Sequence, residues 1–285
     1  MKVHILGSGT PTPTPARFGS AYVIEVANEL IMFDCGPATT HKLVKAGLWP
    51  TDVEHIFFTH HHFDHDADLP CFLLCRWDQS IGVEKPLRVF GPAPTSALTE
   101  GIIGAKGLFA HDWLARMNHR ASQQVFVNRG GTLPRLAPMV LAQDVEPGFT
   151  YTSERWGATA AYAQHAQPYL DSLAWRLDTE ACSVVITGDT EPCNTVDELA
   201  RGADVIICMC WDRQSVMEAH GEAQGQCGTV AAAQLAQRAG ARHLVLVHSG
   251  PSLSQPSEID AALADVAAVF SGQAYFAAEV VTYEF

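Results

Sequence analysis

The sequence predicts an α/β protein: two β-sheets packed face to face, with helices on the outside. Three features predict it. Short β-rich runs dominate the first part, strand–helix alternation follows twice, and strands close the chain. Each half therefore carries β-structure and then helices, as in layered sheets covered by helices. The 285 residues, 47% of them hydrophobic, can bury a sizeable core as one large domain spanning residues 1–285.

Val3 to Leu6 reads as a short strand, and the Gly/Pro-rich GSGTPTPTPARFGS after it as a loop. Ala21 to Val26 and Glu29 to Phe33 form a hairpin around Asn28. Thr39 to Ala46 is helical and stops at Gly47. Glu54 to Phe58 is a β-rich run, Leu69 to Arg76 a helix, PLRVFGP a strand and turn, and Thr95 to Ile103 a helix. Residues 104–135 look irregular and read as an inserted arm or lid. Within it Leu108, Phe109, Trp113 and Met117 could wall an apolar pocket or simply pack. Met139 to Gln164 reads as a meander. Strands are expected at Leu173–Leu177, Cys182–Thr187, Val205–Met209, His243–Val247, Ala274–Phe276 and Val280–Tyr283. Helices are expected at Thr195–Ala200, Thr229–Ala239 and Pro256–Phe270.

Formal net charge is −13, and an acidic surface repels phosphate backbones. This points to a small-molecule substrate and away from nucleic acid. The apolar run in MKVHILGSG is too short for a secretory signal, and nothing approaches the roughly 20 apolar residues that cross a bilayer. A cytoplasmic protein with no membrane partner is expected. In a chain this long without a secretory signal the cysteines should be reduced and mostly buried, and neither Cys71/Cys75 nor Cys208/Cys210 has the zinc-ribbon spacing of a structural metal site.

The chemistry concentrates in FFTHHHFDHDADLP, where the Glu54–Phe58 strand ends. Alternation would put His60, His62 and Asp64 on one side and His61 and Phe63 on the other, with His65 following. Imidazole nitrogens mixed with carboxylates suit zinc, or manganese or iron. Three distant residues also sit at or just past strand ends: His165 in AYAQHAQP, Asp189 in VVITGDTEP and His248 in LVLVHSGP. Asp189 follows Gly188, where backbone could approach a ligand closely. Together these side chains can hold two divalent metal ions that share a bridging carboxylate and activate a water. His220, in an expected loop, is a candidate proton donor, and Tyr169, near His165, a candidate oxyanion donor. Either could instead be a solvated surface residue.

This set resembles the metallo-β-lactamase superfamily, whose motif is His-x-His-x-Asp-His followed by a lone His, an Asp and a final His. LGSGTPTPTPARFGSAYVIE, FDCG, PLRVFGP and ITGDTEP are most similar to its ribonuclease Z-like branch. The resemblance implies a four-layer αββα sandwich. It implies that His60, His62 and His165 hold one metal, that Asp64, His65 and His248 hold the second, and that Asp189 bridges them. It gives His61, Asp66 and Asp68 no ligand role. Asp66 and Asp68 could accept from ligand imidazoles, with Asp68 more suited to capping the following helix. Family members often form homodimers.

The resemblance also implies a Glu–His pair that protonates the leaving group, but here Met209 and Cys227 occupy those positions. The expected reaction is therefore hydrolysis of a carbonyl centre in an ester, lactone or amide by a metal-bridging hydroxide. The alternatives are a phosphodiesterase of small or cyclic diesters, ribonuclease Z-like RNA 3′ processing, or a member of the fold that only binds ligand.

Overall fold

The structure is a computed structural model that describes residues 1–82 and 85–285. The first half contains β1 (Lys2–Ser8), β2 (Ser20–Val26), β3 (Glu29–Phe33), α1 (Thr39–Lys45), β4 (Val53–Phe57), α2 (Phe63–Asp66) and α3 (Leu69–Gln79). It continues with β5 (Leu87–Gly91), α4 (Thr95–Ile103), α5 (Ala110–Asn118), α6 (Arg120–Asn128) and β6 (Val140–Asp144). The second half contains β7 (Thr150–Thr152), β8 (Trp156–Tyr162), β9 (Leu173–Thr179), β10 (Ser183–Ile186), α7 (Asn194–Ala200) and β11 (Val205–Met209). It closes with α8 (Gln214–His220), α9 (Thr229–Ala239), β12 (His243–Val247), α10 (Pro256–Ala267), β13 (Gln273–Phe276) and β14 (Val281–Glu284).

The strands form two sheets, ordered β14-β1-β2-β3-β4-β5-β6 and β13-β12-β11-β10-β9-β8-β7. In each sheet three antiparallel pairings give way to three parallel ones. The expected meander is therefore split: β6 extends the first sheet, whereas β7 and β8 belong to the second. Local turn signals could not show this, because both connections are short and only the partner strand differs.

Four layers have three interfaces, and the buried apolar residues fall into three clusters accordingly. One lies between the sheets and includes Ile24, Phe33, Phe57, Trp175 and Ile207. A second joins the second sheet to α7, α9 and α10 through Val196, Leu235 and Val266. The third joins the first sheet to α1, α3, α4 and α5 through Leu43, Phe72, Ile103 and Trp113. Strand β2 shows the consequence: Tyr22 and Ile24 face the partner sheet while Ala21 and Val23 face helices. A strand buried on both faces reads as a continuous apolar run.

The hairpin turn holds Ala27 and Asn28 at φ 50° and 67°, the pair of positive values a tight turn between twisted strands needs. The segment expected to be irregular, 104–135, carries the helices α5 and α6. Trp113 there is buried and donates Nε1–H to Ile103 O at 3.1 Å, and Met117 packs on the same cluster. Trp113 and Met117 thus pack against the helical layer, whereas Leu108 is exposed.

Trp175 sits fully buried between the sheets and donates to Phe58 O at 2.9 Å, directly ahead of the His-rich loop. Trp175→Ala is expected to lower unfolding free energy by about 3–5 kcal/mol in denaturant titration. A loss below about 1 kcal/mol would mean that the two sheets do not pack through this ring.

Candidate metal centre

The site is assembled from loops at the exits of four strands. β4 leads to His60 and His62, β8 to His165, β10 to Asp189 and β12 to His248. Alternation holds only to His62. From Phe63 the chain turns into α2, and this single helical turn carries Asp64 and His65 inward. The expected side-by-side placement of His60, His62 and Asp64 on one strand face is replaced by a strand exit followed by a helical turn.

Two groups of donor atoms result: His60, His62, His165 and Asp189, and Asp64, His65 and His248, with the atoms of each group within 4.8 Å of one another. His62 Nδ1 lies 3.1 Å from His60 Nε2 and 3.2 Å from His165 Nε2. His248 Nε2 lies 3.2 Å from Asp64 Oδ2 and 3.1 Å from Asp189 Oδ2. Asp189 reaches both groups, 3.8 Å from His60 Nε2 and from His165 Nε2, and 3.5 Å from His65 Nε2.

The outer nitrogens decide which lone pairs face inward. Thr59 Oγ1 donates to Asp34 Oδ2 at 2.9 Å, so it accepts from His60 Nδ1 at 3.0 Å. His65 Nδ1 donates to Asp34 Oδ2 at 2.7 Å, and His165 Nδ1 donates to Gly225 O at 2.7 Å. In all three rings the Nε2 lone pair is thereby left for the interior. His65 Nε2, Asp64 Oδ1 and Asp189 Oδ1 are buried with no hydrogen-bond partner. Buried polar atoms are seldom left so, and a divalent cation satisfies acceptors of this kind. The residues present fit a metal.

Burial, reinforced by the neighbouring His65, holds the His60 imidazole well below its usual pKa. Burial and His165 lower His62 as well. Neutral rings are what a metal requires. Burial also opposes charge on His65, but Asp189 and Asp34 overcome it and raise that ring well above normal. The carboxylates that hold a proton there favour any cation in its place.

The backbone around the site is tightly specified. Cys35 N–H donates to His65 O at 2.6 Å, and a Cβ on Gly36 would meet Asp64 O at 2.1 Å, so FDCG clamps the His-rich loop. Gly188 has φ +58°, and a Cβ there would lie 2.7 Å from Thr59 Cβ. The close approach seen at Gly188 is to Thr59. Glu191 ties the remaining side, accepting from Gly225 N–H at 2.6 Å and Gln164 Nε2 at 2.7 Å.

Other expected residues are placed differently. His61 turns away from the donors, between Asp66 Oδ2 at 3.1 Å and Thr95 Oγ1 at 2.7 Å. Asp66 therefore serves His61, not a ligand ring. Asp68 precedes α3, but its carboxylate accepts from Thr40 N–H at 2.6 Å and so caps the first turn of α1. His220 is not in a loop: it ends α8, exposed. Tyr169 is 93% exposed in the turn after His165. Met209 Sδ accepts from Thr190 N–H at 3.0 Å, and Cys227 Sγ lies 3.9 Å from Cys208 Sγ. The hydrogen bond to Cys208 and burial hold the Cys227 thiol well above its usual pKa. The cysteines are free, and Cys71 is exposed rather than buried. Sequence reasoning missed Asp34, Thr59 and Gly225. Only Asp34 left a trace, as a carboxylate ending the apolar run ELIMF.

The fold and donor set define a superfamily. Residues 14–205 match the model of the metallo-beta-lactamase superfamily, and the chain belongs to that superfamily as a metal-dependent hydrolase. Within it, relatives named Ribonuclease Z support the ribonuclease Z-like branch. The chain is 28% identical over 265 residues to a protein named Ribonuclease Z from Mycobacterium sp. strain KMS, covering 91% of this chain and 88% of that one. It is 26% identical over 279 residues to Ribonuclease Z of Mycobacterium bovis strain BCG / Pasteur 1173P2, covering 96% and 94%. In fold it is similar to the metallo-beta-lactamase fold protein YhfI from Bacillus subtilis, with TM-score 0.74, 18% identity, and 100% and 99% of the chains covered. Human tRNase Z, short form, gives TM-score 0.68 at 20% identity, covering 100% and 99%.

These relatives overturn the expectation of a small-molecule substrate rather than nucleic acid. That expectation rested on net charge, which sums over the whole surface and says little about any one face. Residues 104–135 carry Lys106, Arg116, Arg120, Arg129 and Arg135 against the single carboxylate of Asp112, in a chain of net charge −13. Among the described residues no helix is long and apolar enough to cross a membrane.

Asp34→Ala removes the acceptor that orients His65 and, through Thr59, His60. Metal affinity measured by competition with a chelator is expected to fall about 10- to 100-fold while circular dichroism stays native. Unchanged affinity would show that Asp34 does not orient the donors.

Proposed function

We propose that the chain is a metal-dependent phosphodiesterase of the ribonuclease Z type, cleaving RNA. The observation that carries this reading is the intact set of donors in two groups meeting at Asp189. It is supported by alignment to proteins named Ribonuclease Z over nearly the whole chain. His60, His62 and His165 would hold one ion, Asp64, His65 and His248 the other, and Asp189 both, with zinc the metal that best suits these donors. Such a pair supplies an activated water and neutralises charge on phosphoryl oxygens.

The protein's own groups do the rest. Asp34, Thr59 and Gly225 keep lone pairs pointing inward, and the buried setting of His60, Asp64, His65 and His248 strengthens every charge interaction there. Arg116, Arg129 and Arg135 share Asp78, whereas Lys106 and Arg120 are exposed with no ion-pair partner among the described residues and are available to phosphates. Neither the Met209 thioether nor the Cys227 thiol is a suitable acid. His220 is the candidate for protonating the departing oxygen, because the loop after it delivers Gly225 to His165.

Metal-loaded protein is expected to cut a structured RNA bearing a 3′ extension and to lose that activity when chelator removes the metal. Protein holding two metals that leaves both this RNA and bis-(p-nitrophenyl) phosphate intact would end the reading. His220→Ala is expected to slow cleavage of a ribose alkoxide leaving group about 10²- to 10⁴-fold. It should barely affect p-nitrophenolate, which leaves without a proton. Equal losses on the two substrates would remove His220 from the role.

A further inference from the structure

Three large aromatic side chains stand exposed among the described residues: Trp49 and Phe63 at 55% and Tyr169 at 93%. Trp49 precedes β4, at the end of that strand away from the metal loop. The other two flank the donors. Phe63 opens α2 between His62 and Asp64. Tyr169 lies in the turn after His165, its N–H donating to Ala166 O at 3.1 Å. The two loops meet where His165 Nε2 approaches His62 Nδ1 at 3.2 Å.

Neither ring is needed by the fold. Phe63 and Tyr169 belong to none of the three apolar clusters, and among the described residues neither packs on another ring. An aromatic ring left in water forgoes the burial that stabilises a core and keeps its face free for a partner. Tyr169 is also too exposed to act as an oxyanion donor, which works in a water-excluded site.

We propose that Phe63 and Tyr169 form a stacking platform for unpaired nucleobases on the two sides of the scissile phosphodiester. This rests on the RNA phosphodiesterase reading. Unpaired bases are held by stacking on aromatic faces with little regard to sequence. A platform split between the two loops that supply His62 and His165 registers the phosphate between them over the donors. It selects single-stranded RNA at the cleavage point, because paired bases are already stacked on each other.

The test uses metal-loaded protein and a short single-stranded RNA with 2-aminopurine on both sides of a non-cleavable linkage. A second strand carries abasic sites at those positions. Binding is read by fluorescence quenching for the first strand and by competition for the second. Phe63→Ala and Tyr169→Ala should each weaken binding of the base-bearing strand roughly 5- to 150-fold. Phe63→Tyr and Tyr169→Phe should bind like the parent. The abasic strand should bind the parent as weakly as it binds the alanine variants. Unchanged binding, equal losses on both strands, or a loss in Tyr169→Phe matching that in Tyr169→Ala would overturn the platform. Metal content measured on each variant separates a lost ring from a disturbed ligand, and Tyr169 decides the matter if Phe63→Ala loses metal. Parent protein that binds with quenching but cuts no cleavable version overturns the phosphodiesterase reading and leaves the platform standing.

Discussion

The site depends on one buried carboxylate. Asp34 is fully buried, and it accepts from Thr59 N–H at 2.8 Å, Thr59 Oγ1 at 2.9 Å and His65 Nδ1 at 2.7 Å. Its own N–H donates to Phe57 O at 3.0 Å, so it joins the exits of β3 and β4. A buried charge without partners is strongly unfavourable, and three donors aimed at one carboxylate offset that. The result is a loop with little freedom to rearrange. Two imidazoles are held with their lone pairs inward before any cation arrives.

The sheets serve this arrangement by ending together. The parallel strands β4, β10, β11 and β12 run toward the same rim, and three of them release donor residues there. Buried on both faces, they form a rigid base, while the loops above carry the chemistry. The second half repeats the strand–helix logic of the first, and Asp189 stands where the two meet. The departures from the ribonuclease Z pattern lie just behind the donors. Met209 and Cys227 make that wall sulfur-rich and apolar.

Much of this was legible in the sequence, for physical reasons. The candidate donors stand out in the sequence because metal chemistry restricts residue types and the strands before them are plainly apolar. Most elements were found within a residue or two, since helix stops such as Gly47 and Gly240 mark real ends. The helices α5 and α6 were missed although their apolar residues recur at helical spacing: the polar composition of the segment reads as a loop. Helix α8 was missed, and His220 was misplaced with it. The partner of β6 was illegible because the short connections on either side of β7 look alike and only the partner strand differs. Asp34, Thr59 and Gly225 act through contacts between distant loops, and nothing local distinguishes them. The substrate expectation failed differently: a total charge was read as if it were a local one.

Asp189 is placed to join two metal positions into one centre. Anomalous scattering from crystals grown with zinc tests this directly. Two peaks about 3.5–4 Å apart, with Asp189 between them, are the predicted result. A single peak within one donor group, or two peaks with Asp189 bound to neither, would contradict it.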